Sequence, residues 1–141
     1  MEFIKDDGGR LSAGYHGETS DCVVRAIAIA TEQPYQKVYD EINMISAEGR
    51  TGSRKAKSDA RTGVYKELYR AYLEKLGWTW HPTMSIGQGC KVHLKAEELP
   101  KGRIIVKVSK HLTTMIDGII HDTFDPSRNG TRCCYGYFIK N

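Results

Sequence analysis

A cysteine at the head of a helical pattern and a histidine at the head of a strand pattern are the residues of this 141-residue chain best suited to covalent chemistry. Cys22 follows Glu18-Thr19-Ser20-Asp21, a run of side chains that cap helix N-termini. It precedes Val23, Ala26, Ile27 and Ala30, which recur at the i, i+3, i+4, i+7 spacing of a helix face. A thiol at a helix N-terminus feels the partial positive charge of unpaired N–H groups, which favours the nucleophilic thiolate. Asp21 opposes that shift slightly. The base that completes the activation must be delivered by the fold from elsewhere in the chain.

His111 is the candidate base. It opens the run His111-Leu-Thr-Thr-Met-Ile116, which Asp117-Gly118 separates from Ile119-Ile-His-Asp-Thr-Phe124, and Asp-Gly between two β-prone runs specifies a tight hairpin. A two-residue turn pairs Ile116 with Ile119 and therefore Thr113 with Asp122. Asp122 then shares a face with His111 on a diagonal of about 7–8 Å between Cα atoms. A three-residue loop instead puts Asp125 across from His111. Either register gives the imidazole a carboxylate. The carboxylate orients the imidazole, the imidazole deprotonates the thiol, and the thiolate attacks an acyl carbon.

Thr19-Ser20-Asp21-Cys22-Val23-Val24-Arg25-Ala26 resembles the nucleophile helix of the papain-like cysteine peptidases, especially their small bacterial branches. The stretch from His111 to Asp122 resembles their histidine hairpin, and the whole sequence is similar to a family of small uncharacterised phage and bacterial proteins. The resemblance implies a helix-and-sheet architecture and an acyl-thioester route to amide or isopeptide hydrolysis or transfer. Cys22 is then the nucleophile, His111 the general base and then acid, and Asp122 the orienter, with Asp125 as the alternative. It implies a protein or peptide substrate, no cofactor and no metal. Papain-like enzymes carry a glutamine ahead of the cysteine that donates to the oxyanion, where this chain has His16. His16, Thr19 and Ser20 are candidate substitutes beside the Cys22 N–H, and Gln88 is a further one from a glycine-rich loop. An incomplete oxyanion hole would point to a catalytically inactive relative.

The elements that must position these residues are legible in outline. Pro34 suits the first turn of a second helix with a face of Tyr35, Val38, Tyr39, Ile42 and Ile45. A third helix carries Tyr65, Leu68, Tyr69, Tyr72, Leu73 and Leu76, and Gly77 stops it. Strands are expected at Trp78-Thr79-Trp80, Arg103 to Ser109, the hairpin, and Cys134 to Ile139, which closes the sheet. Ser85 to Gly89 reads as a loop, Val92-His93-Leu94 as a short extended piece, and Ala96 to Leu99 as a helical turn. Helices followed by an antiparallel sheet make a single α+β domain over 1–141.

The net charge of +4 resides in one segment. Arg50, Arg54, Lys55, Lys57 and Arg61 lie within an exposed basic loop at about 49–62, with Asp59 as its only acid up to Arg61. If that loop borders the Cys22–His111 site, it favours an acidic substrate or partner. As a separate function class, it supports a non-enzymatic module that binds nucleic acid or protein. No uninterrupted apolar run is long enough to span a bilayer and the acidic start is no signal peptide, so a cytoplasmic protein without membrane partners is expected. With an ordinary apolar content the chain needs no staples, so all four cysteines are expected as thiols. Cys90 and His93 have a zinc-like spacing that Cys133-Cys134 completes poorly, because adjacent strand residues point to opposite faces. The triplets His111-Leu-Thr113 and His121-Asp-Thr123 mimic a phosphodiesterase pattern, but the expected register turns His121 away from His111.

Overall fold

Seven of the ten residues of α1 (Cys22–Thr31) are buried, so this helix is apolar on more than one side and lies between neighbours. The computed structural model describes residues 2–15, 21–48, 64, 66–85 and 87–141. Around α1 it sets α2 (Tyr35–Glu48), α3 (Lys66–Lys75) and a six-stranded sheet. The strands are β1 (Phe3–Lys5), β2 (Trp78–Pro82), β3 (Arg103–Val108), β4 (His111–Ile116), β5 (Ile119–Asp122) and β6 (Cys134–Lys140). Their order is β1-β5-β4-β3-β6-β2. The architecture is α+β.

The sheet is buried on both faces at its centre. Val24, Ile27, Val38, Ile42, Tyr69 and Leu73 of the helices pack on Ile105, Leu112 and Phe138. Under the opposite face, Leu94 and Leu99 cover Ile104, Val106, Met115 and Ile120. Ile104, Ile105 and Val106 are therefore consecutive core residues, the continuous apolar run of a strand covered on both sides. Two polar contacts fix α1 on the sheet: Thr114 Oγ1 donates to the Ala26 carbonyl at 2.6 Å and Arg103 Nη1 to the Ile29 carbonyl at 2.8 Å.

The sheet departs from expectation at both edges. It is mixed rather than antiparallel, because β1 pairs in parallel with β5, Phe3 with Ile120 and Lys5 with Asp122. All three β1 residues are exposed. Backbone bonding rather than an apolar face recruits the strand, and it leaves no periodic signal. At the other edge β6 does not close the sheet, since β2 adds beyond it with Trp80 paired to Phe138. The loop after β1 then packs on α1. Asp6 and Asp7 carboxylates accept the N–H groups of Gly8 and Gly9, and Gly8, at φ +69°, lies so near the Arg25 carbonyl that an added Cβ would sit 3.1 Å from it.

The cysteines also differ from expectation. Cys90 and Cys133 form a disulfide, and only Cys22 and Cys134 are free. A β-bridge between His93 and Cys133 lays the 90–93 segment against the start of β6, with 5.8 Å between the cysteine Cα atoms. The pairing follows from a long-range contact, not from any shortage of core. Among the described residues no helix is long and apolar enough to cross a membrane.

Candidate active site

Cys22 is the first residue of α1. Its N-cap, Asp21, forms no side-chain capping bond, and among the described residues the first N–H groups of the helix keep their positive field for the thiol. The Asp21 carboxylate is instead wholly buried among Arg25, Tyr35 Oη and Arg10 Nε, the last at 3.3 Å. Two guanidinium groups thus take up the charge that stood to oppose a thiolate at Cys22.

The hairpin adopts the two-residue turn. Ile116 pairs with Ile119, Met115 with Ile120 and Thr114 with His121, and Asp117 and Gly118 both take positive φ. That register brings Asp122 to His111, with Nε2 2.8 Å from Oδ2. It leaves Nδ1 as the ring nitrogen for the Cys22 thiol, with which His111 is in hydrogen-bond contact. Asp122 is held in turn by Thr113 Oγ1 at 2.6 Å, by the Thr123 N–H at 2.7 Å, and by Arg25 Nη2 at 3.8 Å. The space that Cys22, Arg25, Leu112, Thr113, His121 and Asp122 line is too small for a water molecule. Phe124 tilts against the His111 ring at 5.1 Å between centroids.

The electrostatics follow from these contacts. Burial raises the Cys22 pKa, but the bond to His111, its charge, the Leu112 N–H and the Arg25 guanidinium outweigh burial and leave the thiol below its ordinary value. Burial lowers the His111 pKa, yet the bonds to Asp122 and Cys22 win and push it up to about 9. Asp122, which burial raises, is held below the usual carboxylate range by His111 and Thr113. Both shifts run toward the charged forms, a Cys22 thiolate facing a His111 imidazolium.

Of the residues named from sequence, Cys22, His111 and Asp122 converge. Asp125 does not join them: with the tight turn in place it falls in the following loop, where its carboxylate accepts the Ser127 N–H at 2.9 Å. Gln88 is exposed in the turn closed by its own N–H to Ser85. His16, Thr19 and Ser20 lie outside the described residues, as do Tyr65, Arg50, Arg54, Lys55, Lys57 and Arg61 with the rest of the basic loop at 49–62. His121 faces Asp6, 3.8 Å from its carboxylate, as its register position requires. Among the described residues no group of three or more His, Cys, Asp or Glu is placed to hold a metal ion.

Sequence reasoning passed over Arg25, which links the Asp21 and Asp122 carboxylates. Its position four residues after Asp21 and three after Cys22, on one helix face, was the available signal. It also passed over Tyr69, whose hydroxyl is buried in the field of Cys22 without a hydrogen-bond partner among the described residues. Nothing in the tyrosine-rich stripe distinguishes that residue from its packed neighbours.

The chain matches no family model, no curated protein and no solved structure.

Proposed function

We propose that this protein is a papain-like thiol hydrolase that cleaves an amide or isopeptide bond, or transfers its acyl group, through an acyl-thioester on Cys22. The observation that carries the reading is the series Cys22, His111 and Asp122, assembled from a helix start and two strands, with Asp122 bonded to His111 at 2.8 Å and the imidazole set against the thiol. A helix whose first residue is the nucleophile, packed on a sheet that delivers the histidine, agrees with papain-like architecture.

The proton inventory closes. With the Sγ proton held on Nδ1, the thiolate attacks the carbonyl carbon while charge develops on the carbonyl oxygen. The N–H groups at the start of α1 supply donors for that oxygen. His111 then gives the proton to the departing amine as the C–N bond breaks. In the second half Nδ1 accepts a proton from water, hydroxide adds to the thioester carbon, and the thiol leaves with that proton restored. Asp122 keeps Nε2–H engaged throughout, which fixes the tautomer. A protein or peptide substrate and action in the cytoplasm belong to this reading. In a reducing compartment the Cys90–Cys133 pair is a dithiol. Among the described residues it shares no bond with Cys22, His111 or Asp122.

The direct test is a burst assay with p-nitrophenyl acetate, an activated ester. The wild type should release one equivalent of p-nitrophenol per chain quickly, as the thioester forms, and Cys22→Ala should release none. A burst that survives Cys22→Ala would end the proposal.

A further inference from the structure

On the helix side of the sheet one transverse row begins at the thiol. Leu112, whose N–H meets Cys22, pairs with Lys107. Lys107 pairs with Gly136, and Gly136 with Pro82. Directly paired residues share a face, and the packing of Leu112, Ile105 and Phe138 against the helices identifies it. At roughly 4.8 Å per strand, Pro82 is about 10 Å from Lys107 across the sheet.

Two features of this row call for a ligand. Lys107 is half-buried and has no carboxylate within ion-pair distance among the described residues. Its field contains the Cys22 sulfur and two further cations, Lys66 and Arg132. Arg132 is committed to the carbonyls of Pro126 and Ser109, and Lys66 lies over the Trp80 indole, 4.9 Å from its centroid. A partly desolvated ammonium beside other cations is unfavourable until an anion joins it. Beyond Lys107 the row loses its side chain, because the Trp80 ring lies across Gly136, where an added Cβ would be 2.4 Å from the indole. That ring forms one wall of a cavity of about 320 Å³, which Lys66 and Ser85 edge and Pro82, Met84, Tyr135, Gly87 and Gly89 complete.

We infer that Lys107, with Lys66 behind it, binds a carboxylate of the acyl substrate beside Cys22, and that the Trp80–Met84–Tyr135 cavity takes an apolar side chain from the same strand of substrate. The substrate class is an acidic peptide whose aromatic or large aliphatic residue lies about three positions from the acidic one, since an extended chain covers about 10 Å in three residues. The inference rests on Cys22 being the nucleophile of the proposed reaction.

Two alkylating agents of different charge test it. The ratio of Cys22 alkylation by iodoacetate to that by iodoacetamide should fall about fivefold or more in Lys107→Met and return in Lys107→Arg. Both reagents reacting fast with a ratio that Lys107→Met does not move would overturn the inference alone. Both reacting at the rate of an ordinary thiol would overturn the nucleophile reading and this inference with it. For the cavity, acetyl-Phe-Ala-Ala-Glu-amide should protect Cys22 from iodoacetamide at about a tenfold lower concentration than acetyl-Ala-Ala-Ala-Glu-amide, and Met84→Asp should abolish that advantage. Equal protection by the two peptides in the wild type would remove the apolar subsite.

Discussion

Cys22, His111 and Asp122 invite comparison with Cys90, His93 and Glu98, a second trio of the same residue types lying in the segment before β3. In the second trio the histidine meets its carboxylate as well, with His93 Nδ1 3.3 Å from Glu98 Oε1. The differences lie in what surrounds the groups. His111 and Asp122 side chains are 9% and 4% exposed, and Thr113, Thr123 and Arg25 fix the carboxylate. His93 and Glu98 are 38% and 26% exposed and share Glu98 with Lys95. Cys22 heads a helix and faces the free nitrogen of its histidine, whereas Cys90 heads no element and its sulfur is spent on Cys133. Local spacing produces the second trio; only the fold produces the first. Desolvation combined with complete polar partnering separates a poised nucleophile from a coincidence of residue types.

The comparison breaks most sharply at the histidines. His111→Ala should slow iodoacetamide alkylation of Cys22 by 10²- to 10⁴-fold at neutral pH, the range expected for loss of a positioned base. His93→Ala should leave that rate within about twofold. Rates come from mass spectrometry of timed aliquots without reductant, which keeps Cys90 and Cys133 out of the reaction. Equal effects from the two substitutions would erase the distinction between the trios.

The carboxylates should separate next, this time in stability. Asp122→Ala strands a buried imidazolium, a threonine hydroxyl and part of the Arg25 charge, and removing one partner of such a buried set typically costs about 3–5 kcal/mol. Glu98→Ala removes a solvent-screened partner and should leave stability close to that of the wild type. Urea unfolding of both variants measures the difference. A small loss in Asp122→Ala would mean that water reaches the carboxylate.

Much of the first trio was legible because its parts are local rules. Cap residues and apolar spacing locate the start of α1 at Cys22. The Asp-Gly turn fixes the register that carries Asp122 to His111 and leaves Asp125 behind. What stayed hidden is long-range. The Asp21 carboxylate reads as a cap, yet it is a buried hub for Arg10, Arg25 and Tyr35, because the Gly8 loop carries Arg10 back over α1. Lys107 carries no sequence signal beyond its place in the strand expected from Arg103 to Ser109. Its placement beside the thiol depends on β3 pairing with β4 and on α1 covering only part of the sheet. The Cys90–Cys133 bridge depends on one isolated pairing, His93 with Cys133, and β1 on an edge with no apolar face.

The smallest effect is a difference in pH dependence, and it tests the charge state that sets the first trio apart. Between the lowered pKa of Cys22 and about 9, the folded pair holds one proton, on His111. Unfolded, with ordinary values of 9.0 for the thiol and 6.5 for the imidazole, the two side chains also hold one proton between those limits, on the sulfur. Equal proton counts give no slope, so the pair contributes a flat stability across the shared window. Two opposed contributions cancel there. His111, raised on folding, adds stability that is full below pH 6.5 and is lost as pH rises through about 9. Cys22, lowered on folding, adds stability that is full above 9.0 and is lost as pH falls through its folded value. In Cys22→Ala only the His111 half remains, still held up by Asp122. Unfolding free energy should then decline as pH rises above 6.5, by at most about 1.4 kcal/mol per pH unit, while the wild type stays level through the shared window. Urea titrations of both proteins at closely spaced pH values between 6.5 and 9 read this directly. A Cys22→Ala line as level as the wild type would mean that the folded imidazole is neutral, and the thiolate–imidazolium pair would not be the resting state of the site.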